Sequence, residues 1–238
     1  MYGSTISYNL NRMGYKLRQV GEGRSNSKYH ANIHFFDEID NEYKAYVLGF
    51  ILADGHISKA GNLMITLKSD DIDILEKIDR AMDSNYPIRA TRDKYSTLVI
   101  SSRYLCDRLN EIGFNNRKTY GFDFDKLIKT IPKELYIHFI RGMFDGDGCI
   151  GYYKYDYNKK HSFHFGYTGL LEVVTFIKDF FDIHTKNVQE TELVYTGTSK
   201  DIHKIIEIKN QLYNDAHIFM NRKYNIFCEI EKIYQDEF

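Results

Sequence analysis

One short apolar motif occurs twice in the chain. Its first copy is YVLGFILADG at Tyr46–Gly55, and its second copy is FIRGMFDGDG at Phe139–Gly148. Each copy ends in an aspartate followed by glycine, and these aspartates, Asp54 and Asp147, are 93 positions apart. Because that spacing is close to the length of one small domain, the chain is predicted to be an internal duplication. Equivalent carboxylates in two duplicated halves would form one pseudo-symmetric site.

Both copies have the small-residue spacing of closely packed helices. Residues four apart are neighbours on a helix, so Gly49 and Ala53 share one face, as do Gly142 and Gly146. Faces of small residues allow two helix backbones to approach closely. Neither copy has the roughly 18 consecutive apolar residues of a membrane span. The two helices are therefore predicted to pack side by side in a globular core.

The two aspartates occupy an unfavourable position in these helices. Gly55 and Gly148 follow them, where a helix C-terminus favours glycine in the left-handed conformation. Asp54 and Asp147 thus fall in the last turn, at the negative end of the helix dipole. Packing the helices together adds their mutual repulsion, and a divalent cation with oxygen ligands is the expected compensation. A single Asp-Gly pair would be only a turn signal, but its repetition with the same small-residue spacing favours a site.

The regions between the motifs predict an α+β protein. Asn62–Lys68 alternates apolar and polar residues, with both leucines and Ile65 on one face. In Phe163–Thr168 the aromatic residues share one face and leave His164 on the other. Each half thus predicts a four-stranded antiparallel sheet with one apolar face under helices and one open polar face. Two pseudo-symmetric αββαββα repeats would form a saddle, and antiparallel strands can enter the major groove of DNA.

The chain divides into an extension and two repeats. Residues 1–36 are rich in Gly, Ser and Asn and contain one helical pattern that resembles a remnant of a helix-turn-helix. Because only one helix is visible there, a plain N-terminal helix is the favoured interpretation. The first repeat is predicted at 37–130 and the second at 131–238. Predicted helices span about 41–54, 70–83, 102–113, 132–147, 169–182, 199–214 and 216–227, and predicted strands span about 62–68, 86–93, 95–101, 149–157, 162–168, 186–190 and 193–197.

Both copies of the motif resemble the LAGLIDADG motif of homing endonucleases. The matching segments are Val47–Gly55 and Ile140–Gly148, and each repeat closes with an Arg-Lys pair, at Arg117-Lys118 and Arg222-Lys223. The resemblance covers the chain from about residue 36 to its end. The first copy has Leu52 where an acidic residue is usual, at a position that does not bind metal in the family.

The resemblance implies a site-specific DNA endonuclease that uses Mg²⁺ to hydrolyse both strands of a long asymmetric site. It also implies cleavage across the minor groove and short 3′ overhangs. Asp54 and Asp147 would be metal ligands, with Mn²⁺ or Ca²⁺ able to substitute for binding. Lys118 and Lys223 correspond to basic residues that border the active site, and we expect them to stabilise charge on the phosphate or to polarise the attacking water. The expected catalytic residues are Asp54, Asp147, Lys118 and Lys223.

Polar residues on the open strand faces and in nearby turns are candidates for DNA contact. In the major groove, arginine reads guanine and asparagine reads adenine through paired hydrogen bonds. A polar residue on a strand face is ordinarily only solvated, so position on the open face is the reason for the choice. The candidates are Asn62, Thr66, Lys68, Arg89, Arg92, Lys94, Lys154 and His164.

Composition fits this interpretation with one reservation. The 238 residues are 43% hydrophobic and 27% charged, as in a globular protein. Three isolated cysteines argue against disulfides and a structural zinc site, and no signal peptide is visible, so a cytoplasmic and not secreted protein is expected. The net charge of −1 is not what phosphate binding favours, although basic residues gather in strand-like segments. The expected partner is double-stranded DNA, bound by a monomer without a membrane or a protein partner.

Two other functions fit the same sequence pattern. The saddle could serve an RNA-splicing maturase or a DNA-binding regulator without cleavage, although a mere binder has no need to keep two repelling carboxylates. Inteins contain a similar endonuclease domain, but the chain begins with Met1-Tyr2-Gly3 and lacks a terminal His-Asn pair. A freestanding enzyme is therefore expected.

Overall fold

The computed structural model describes residues 28–91, 94–114, 122–155, 161–183, 189–191 and 194–237. Within these ranges the protein is α+β, as the sequence predicts, with two antiparallel four-stranded sheets. The helices are α1 (Glu42–Asp54), α2 (Ile72–Ala81), α3 (Arg103–Glu111), α4 (Phe124–Ile128), α5 (Tyr136–Asp147), α6 (Leu171–Phe180), α7 (Ile202–Tyr213) and α8 (Asn221–Glu237). The strands are β1 (Gly55–Ile57), β2 (Asn62–Lys68), β3 (Arg89–Thr91), β4 (Tyr95–Ser101), β5 (Gly148–Lys154), β6 (His161–Gly169), β7 (Gln189–Thr191) and β8 (Val194–Ser199).

The two sheets have the same strand order. The first runs β1-β2-β4-β3 and the second β5-β6-β8-β7, and every neighbouring pair is antiparallel. In each sheet the first strand follows directly from a motif helix, α1 or α5. This common order is what an internal duplication produces. The exact limits of the two repeats stay a prediction.

Two short elements were not among the sequence-based expectations. β1 has three residues and α4 has five, too few for a hydrophobic period to show. Some of the longer helices begin after a residue whose side chain caps them. The side chain of Asn41 accepts a hydrogen bond from the Lys44 amide at the start of α1, and Ser102 does the same for Leu105 in α3.

Helices α1 and α5 pack against each other through their small residues. A Cβ atom on Gly49 would overlap the carbonyl oxygen of Phe139, and one on Gly142 would overlap the carbonyl oxygen of Tyr46. Farther along, a Cβ on Gly146 would overlap the methyl group of Ala53. The backbones therefore approach as closely as the i, i+4 spacing predicts, and only glycine permits that approach at Gly49 and Gly142.

A buried ion pair joins α1 to α5, and its arginine also bonds the segment between α7 and α8. The fully buried Arg141 of α5 donates to a carboxylate oxygen of Glu42 in α1 and to the carbonyl oxygens of Leu212 and Ile218, both at 2.9 Å. Burial disfavours the Glu42 carboxylate, but hydrogen bonds from His217 and the charge of Arg141 outweigh it and lower the pKa of Glu42. The Glu42 carboxylate is thus held in its charged form beside Arg141.

The inward faces of the sheets form the core with the helices. Leu63, Ile65 and Leu67 of β2 are buried, as their alternation predicts, and so are Phe163 and Phe165 of β6. The opposite faces of β2 and β6 carry more polar and more exposed residues. None of the helices within the described ranges has both the length and the apolar character to cross a membrane.

Candidate functional site

The two motif aspartates lie at the ends of the packed helices. Asp54 is the last residue of α1 and Asp147 the last residue of α5. The Oδ2 atom of Asp54 lies 3.1 Å from where a Cβ on Gly146 would be, so this carboxylate lies against the end of α5, beside the residue that precedes Asp147. Asp54 is partly buried and Asp147 is exposed. The helix packing therefore brings the two predicted residues to one region.

The buried Tyr167 lies under both carboxylates. Burial raises the pKa of its hydroxyl, and the negative charges of Asp147 and Asp54 raise that pKa further. Tyr167 is thus neutral at physiological pH and adds no third negative charge to the region. Both aspartates therefore act on the same phenol, in agreement with their position at the ends of two packed helices.

The glycines after the two aspartates differ from the sequence-based expectation. Gly55 has φ −77° and ψ 151°, and Gly148 has φ −70° and ψ 155°, so both are extended and not left-handed. Each is the first residue of a strand. The reason for glycine is space, because a Cβ would lie 2.7 Å from the Ile51 carbonyl oxygen at Gly55 and 2.5 Å from the Phe144 carbonyl oxygen at Gly148.

Lys223, near the start of α8, contacts the C-terminal end of α5. Its Nζ donates to the carbonyl oxygens of Phe144 at 2.6 Å, Gly146 at 3.0 Å and Gly148 at 2.6 Å. The lysine is 4% exposed, and burial lowers its pKa to about 8 against the opposing attraction of Asp145 and the site aspartates. This geometry differs from the expected contact with a phosphate, since backbone carbonyls occupy all three N–H groups of the ammonium.

Asp145, two residues before Asp147, is fully buried and fully hydrogen-bonded. It accepts from the Tyr46 hydroxyl at 2.8 Å, the Tyr213 hydroxyl at 2.7 Å and the Met220 amide at 2.7 Å. Burial nevertheless raises its pKa. Asp145 therefore connects α1, α5, α7 and the segment that leads into α8, and it points away from the exposed Asp147.

The residues present suit a hard divalent cation. Among the described residues, no group of three or more His, Cys, Asp or Glu side chains is placed to hold a metal. Mg²⁺ is commonly bound by one or two carboxylates together with water and substrate phosphates, so a pair of aspartates is a sufficient protein contribution. Both side chains end the two packed helices, and Asp54 lies against the end of α5. These oxygen-only donors fit Mg²⁺ better than a thiolate-seeking or imidazole-seeking metal.

The open face of the first sheet carries most of the predicted DNA-contact residues. Asn62, Thr66 and Lys68 alternate with the buried residues of β2, and Thr66 Oγ1 lies 2.9 Å from Thr97 Oγ1 on β4. Arg89 is paired with Thr97 and so lies on the same face, exposed. Lys94 is exposed at the turn between β3 and β4. DNA contact by these residues stays a prediction.

Of the remaining candidates, His164 and Lys154 lie on opposite faces of the second sheet. His164 lies on the open face, paired with Gly151, where a Cβ would come within 2.7 Å of the imidazole. Lys154 is different: it is paired with His161 and alternates in phase with the buried Ile150, so it lies on the helix side of the sheet. The sequence-based choice drew on open strand faces and nearby turns, and the register with β6 places Lys154 on the other side, at the end of its strand. Arg92 and Lys118 lie outside the described residues.

Two open-face residues were missed. His56 and Cys149 are each the second residue after a motif aspartate, exposed, and on the open side of β1 and β5. The Cys149 Sγ lies 3.6 Å from His164 Nε2. The repeated motif itself was the available signal, since a strand starting at Gly55 or Gly148 turns the next residue towards the open face.

No family model matches the chain. A curated relative, the replication factor C small subunit of Methanocaldococcus jannaschii, is 28% identical over 126 residues, and the match covers 46% of this chain and 7% of that protein. The chain thus spans a small part of the curated relative that it matches.

Solved structures are similar over most of the chain. The LAGLIDADG homing endonuclease I-GzeII in complex with its DNA target has a TM-score of 0.59 and 16% identity, covering 83% of this chain and 91% of that one. I-LtrWI bound to target DNA has a TM-score of 0.59 and 13% identity, with 82% and 91% covered. I-SmaMI bound to uncleaved DNA with calcium ions has a TM-score of 0.56 and 14% identity, with 83% and 92% covered. This chain therefore has the fold of the LAGLIDADG homing endonucleases, with both motif helices in one polypeptide.

Proposed function

We propose that this protein is a site-specific DNA endonuclease that hydrolyses one phosphodiester bond in each strand of a duplex. The observation that supports it is the meeting of Asp54 and Asp147 at the ends of two packed helices, between the open faces of two equivalent sheets. Similar solved structures are described as homing endonucleases bound to DNA targets. A two-carboxylate site between two polar strand faces is what metal-assisted cleavage of a bound duplex requires.

The aspartates would hold Mg²⁺ in this enzyme. When bound, Mg²⁺ supplies a nucleophilic water at neutral pH and neutralises the scissile phosphate. Asp54 and Asp147 contribute negative oxygen ligands, and neutral Tyr167 beneath them keeps the region from gaining further negative charge. The close contact of α1 and α5 sets the spacing between the carboxylates. A displacement of about 1 Å is enough to cost on the order of 100-fold in rate in other enzymes.

The open sheet faces would bind the DNA on either side of the aspartates. Lys68 and Arg89 are exposed on the first face and supply the positive charge that phosphate contacts need. His164 and Cys149 supply hydrogen-bonding groups on the second face, next to Asp147. Contacts to phosphates would fix the register of the duplex, and contacts to base edges would select its sequence.

Selection of cleaved sites from a random duplex library with Mg²⁺ tests the proposal. We expect the purified protein to cut a defined sequence in both strands, and we expect Asp54→Asn and Asp147→Asn to abolish double-strand cleavage while retaining binding. Asp125→Asn, at an exposed acidic residue of α4, is the matched control and should cleave normally. Full double-strand cleavage by either site variant, or binding without any cleavage by the unmodified protein, would contradict the proposal.

A further inference from the structure

We propose that Lys223 is a positioning residue that fixes the end of α5, and through it Asp147, by binding three backbone carbonyl oxygens. The inference rests on the proposed nuclease function, because it concerns a metal ligand of that site. It assigns to Lys223 a role different from contact with the scissile phosphate.

The hydrogen-bonding capacity of the ammonium group supports this role. A lysine ammonium has three donors and no acceptor. Those of Lys223 point to Phe144, Gly146 and Gly148, at distances between 2.6 and 3.0 Å. The Phe144 ring, with its centroid 5.1 Å from Nζ, covers the group further. A phosphate oxygen would have to replace one of these carbonyls to gain a bond from Lys223.

The carbonyls that Lys223 binds flank the metal-binding aspartate. Gly146 and Gly148 are the neighbours of Asp147 in the chain, so fixing both carbonyls fixes the backbone that carries the carboxylate. The end of a helix also presents unpaired carbonyl oxygens with partial negative charge. A buried cation there offsets the unfavourable placement of Asp147, before any metal or DNA is bound.

A second set of buried contacts holds Lys223 in place. Asp145 accepts a hydrogen bond from the amide of Met220, three residues before Lys223 and immediately before α8 begins. The hydroxyl groups of Tyr46 and Tyr213 donate the other two hydrogen bonds to Asp145. Asp145 thus fixes the start of α8, and Lys223, in the first turn of α8, is thereby held next to the end of α5.

Three variants and two readouts test this role. Lys223→Met keeps the length of the side chain but removes the ammonium, and Lys223→Arg keeps the charge. Lys209→Met is the matched control, because Lys209 is a mostly buried lysine of α7 that pairs with Glu231 on α8. Mn²⁺ affinity is measured by electron paramagnetic resonance, with and without a duplex carrying the selected site, and thermal unfolding is followed in parallel.

We expect Lys223→Met to weaken Mn²⁺ binding by about 10-fold to 100-fold, the usual effect of removing a group that orients a metal ligand. Lys223→Arg should recover part of that loss, and Lys209→Met should bind Mn²⁺ as the unmodified protein does even if it unfolds at a lower temperature. If Lys223→Met does not fold, Tyr213→Phe, which removes one donor to Asp145, should still weaken Mn²⁺ binding several-fold.

Other results would overturn the positioning role or refute the proposed function alone. Unchanged Mn²⁺ affinity in Lys223→Met with lost cleavage would overturn the positioning role and favour direct action on the phosphate. Unchanged Mn²⁺ affinity in Tyr213→Phe, or no Mn²⁺ binding by the unmodified protein, would also overturn it. Mn²⁺ binding that depends on Lys223 in a protein that cleaves no duplex would support the positioning role and refute the proposed function alone.

Discussion

Gly142→Ala is the most direct test of how the helix packing controls the site. A Cβ at this position would overlap the carbonyl oxygen of Tyr46 and would lie 2.9 Å from the amide nitrogen of Phe50. Non-bonded carbon contacts are normally about 3.5–4.0 Å. Both neighbours are backbone atoms of α1, so no side-chain rotation can relieve the overlap. The two helices would have to move apart by about 1 Å.

The expected loss of stability follows from two opposing effects. Overpacking a well-packed core typically costs about 1–3 kcal/mol, and the backbone contact places this case at the upper end. Alanine gains about 1 kcal/mol over glycine within a helix. The net free energy of unfolding should therefore fall by about 2 kcal/mol. In a protein of this size that corresponds to a decrease in Tm of roughly 4–8 °C.

Thermal unfolding and cleavage assays on the same preparation measure both consequences. The control is Gly169→Ala at the end of β6, where the nearest atom to a new Cβ is a Tyr167 ring carbon at 3.3 Å, and a change within about 0.5 kcal/mol is expected. Separation of the helices should also lower the cleavage rate more than the loss of folded protein explains. A Gly142→Ala protein that is more stable, as helix propensity alone would make it, would refute the close packing.

Two other regions lead to predictions on the same protein. Glu42→Gln should lower the free energy of unfolding at neutral pH by up to about 3–5 kcal/mol, because the buried Arg141 loses its counter-charge. The pKa of Glu42 is lowered in the folded protein, so its charged form contributes stability above the unfolded pKa of 4.5. The free energies of unfolding of the unmodified protein and Glu42→Gln, measured by urea titration, should therefore converge as the pH falls below 4.5. A difference that does not change with pH would contradict this. Lys68→Ala should reduce the slope of log affinity for DNA against log salt concentration by about 1, measured by fluorescence anisotropy. Lys154→Ala is the control, because Lys154 lies on the helix side of its sheet, and its slope should not change. Equal slopes for Lys68→Ala and the unmodified protein would show that Lys68 does not contact the DNA.

Periodic features were predictable because they are local. The alternation in Asn62–Lys68 gave the strand and its buried face, and the i, i+4 glycines gave the packed face of α1 and α5. Each of these patterns reports how a segment meets the core, and the information lies within a few residues. Short elements such as β1 escaped because three residues do not establish a period.

Long-range contacts were not predictable in the same way. The pattern of β5 did not show which face Lys154 occupies, because that depends on the register with β6. A place for Lys223 beside the site was expected from its position at the close of the second repeat, but its carbonyl partners are 75 to 79 residues away in the chain and were not. The conformation of Gly55 and Gly148 was decided by contact with the preceding helical turn and by the strand that begins there.

The sequence by itself determined that two equivalent helices would each present an aspartate at one end, because the duplicated spacing of small and acidic residues leaves few other arrangements. Only the tertiary structure decided what surrounds those aspartates. It placed a buried lysine under one of them, a neutral tyrosine under both and a fully bonded Asp145 behind Asp147. The physical reason is that burial and charge compensation arise from side chains distant in sequence, and their positions are fixed only when the whole core is packed.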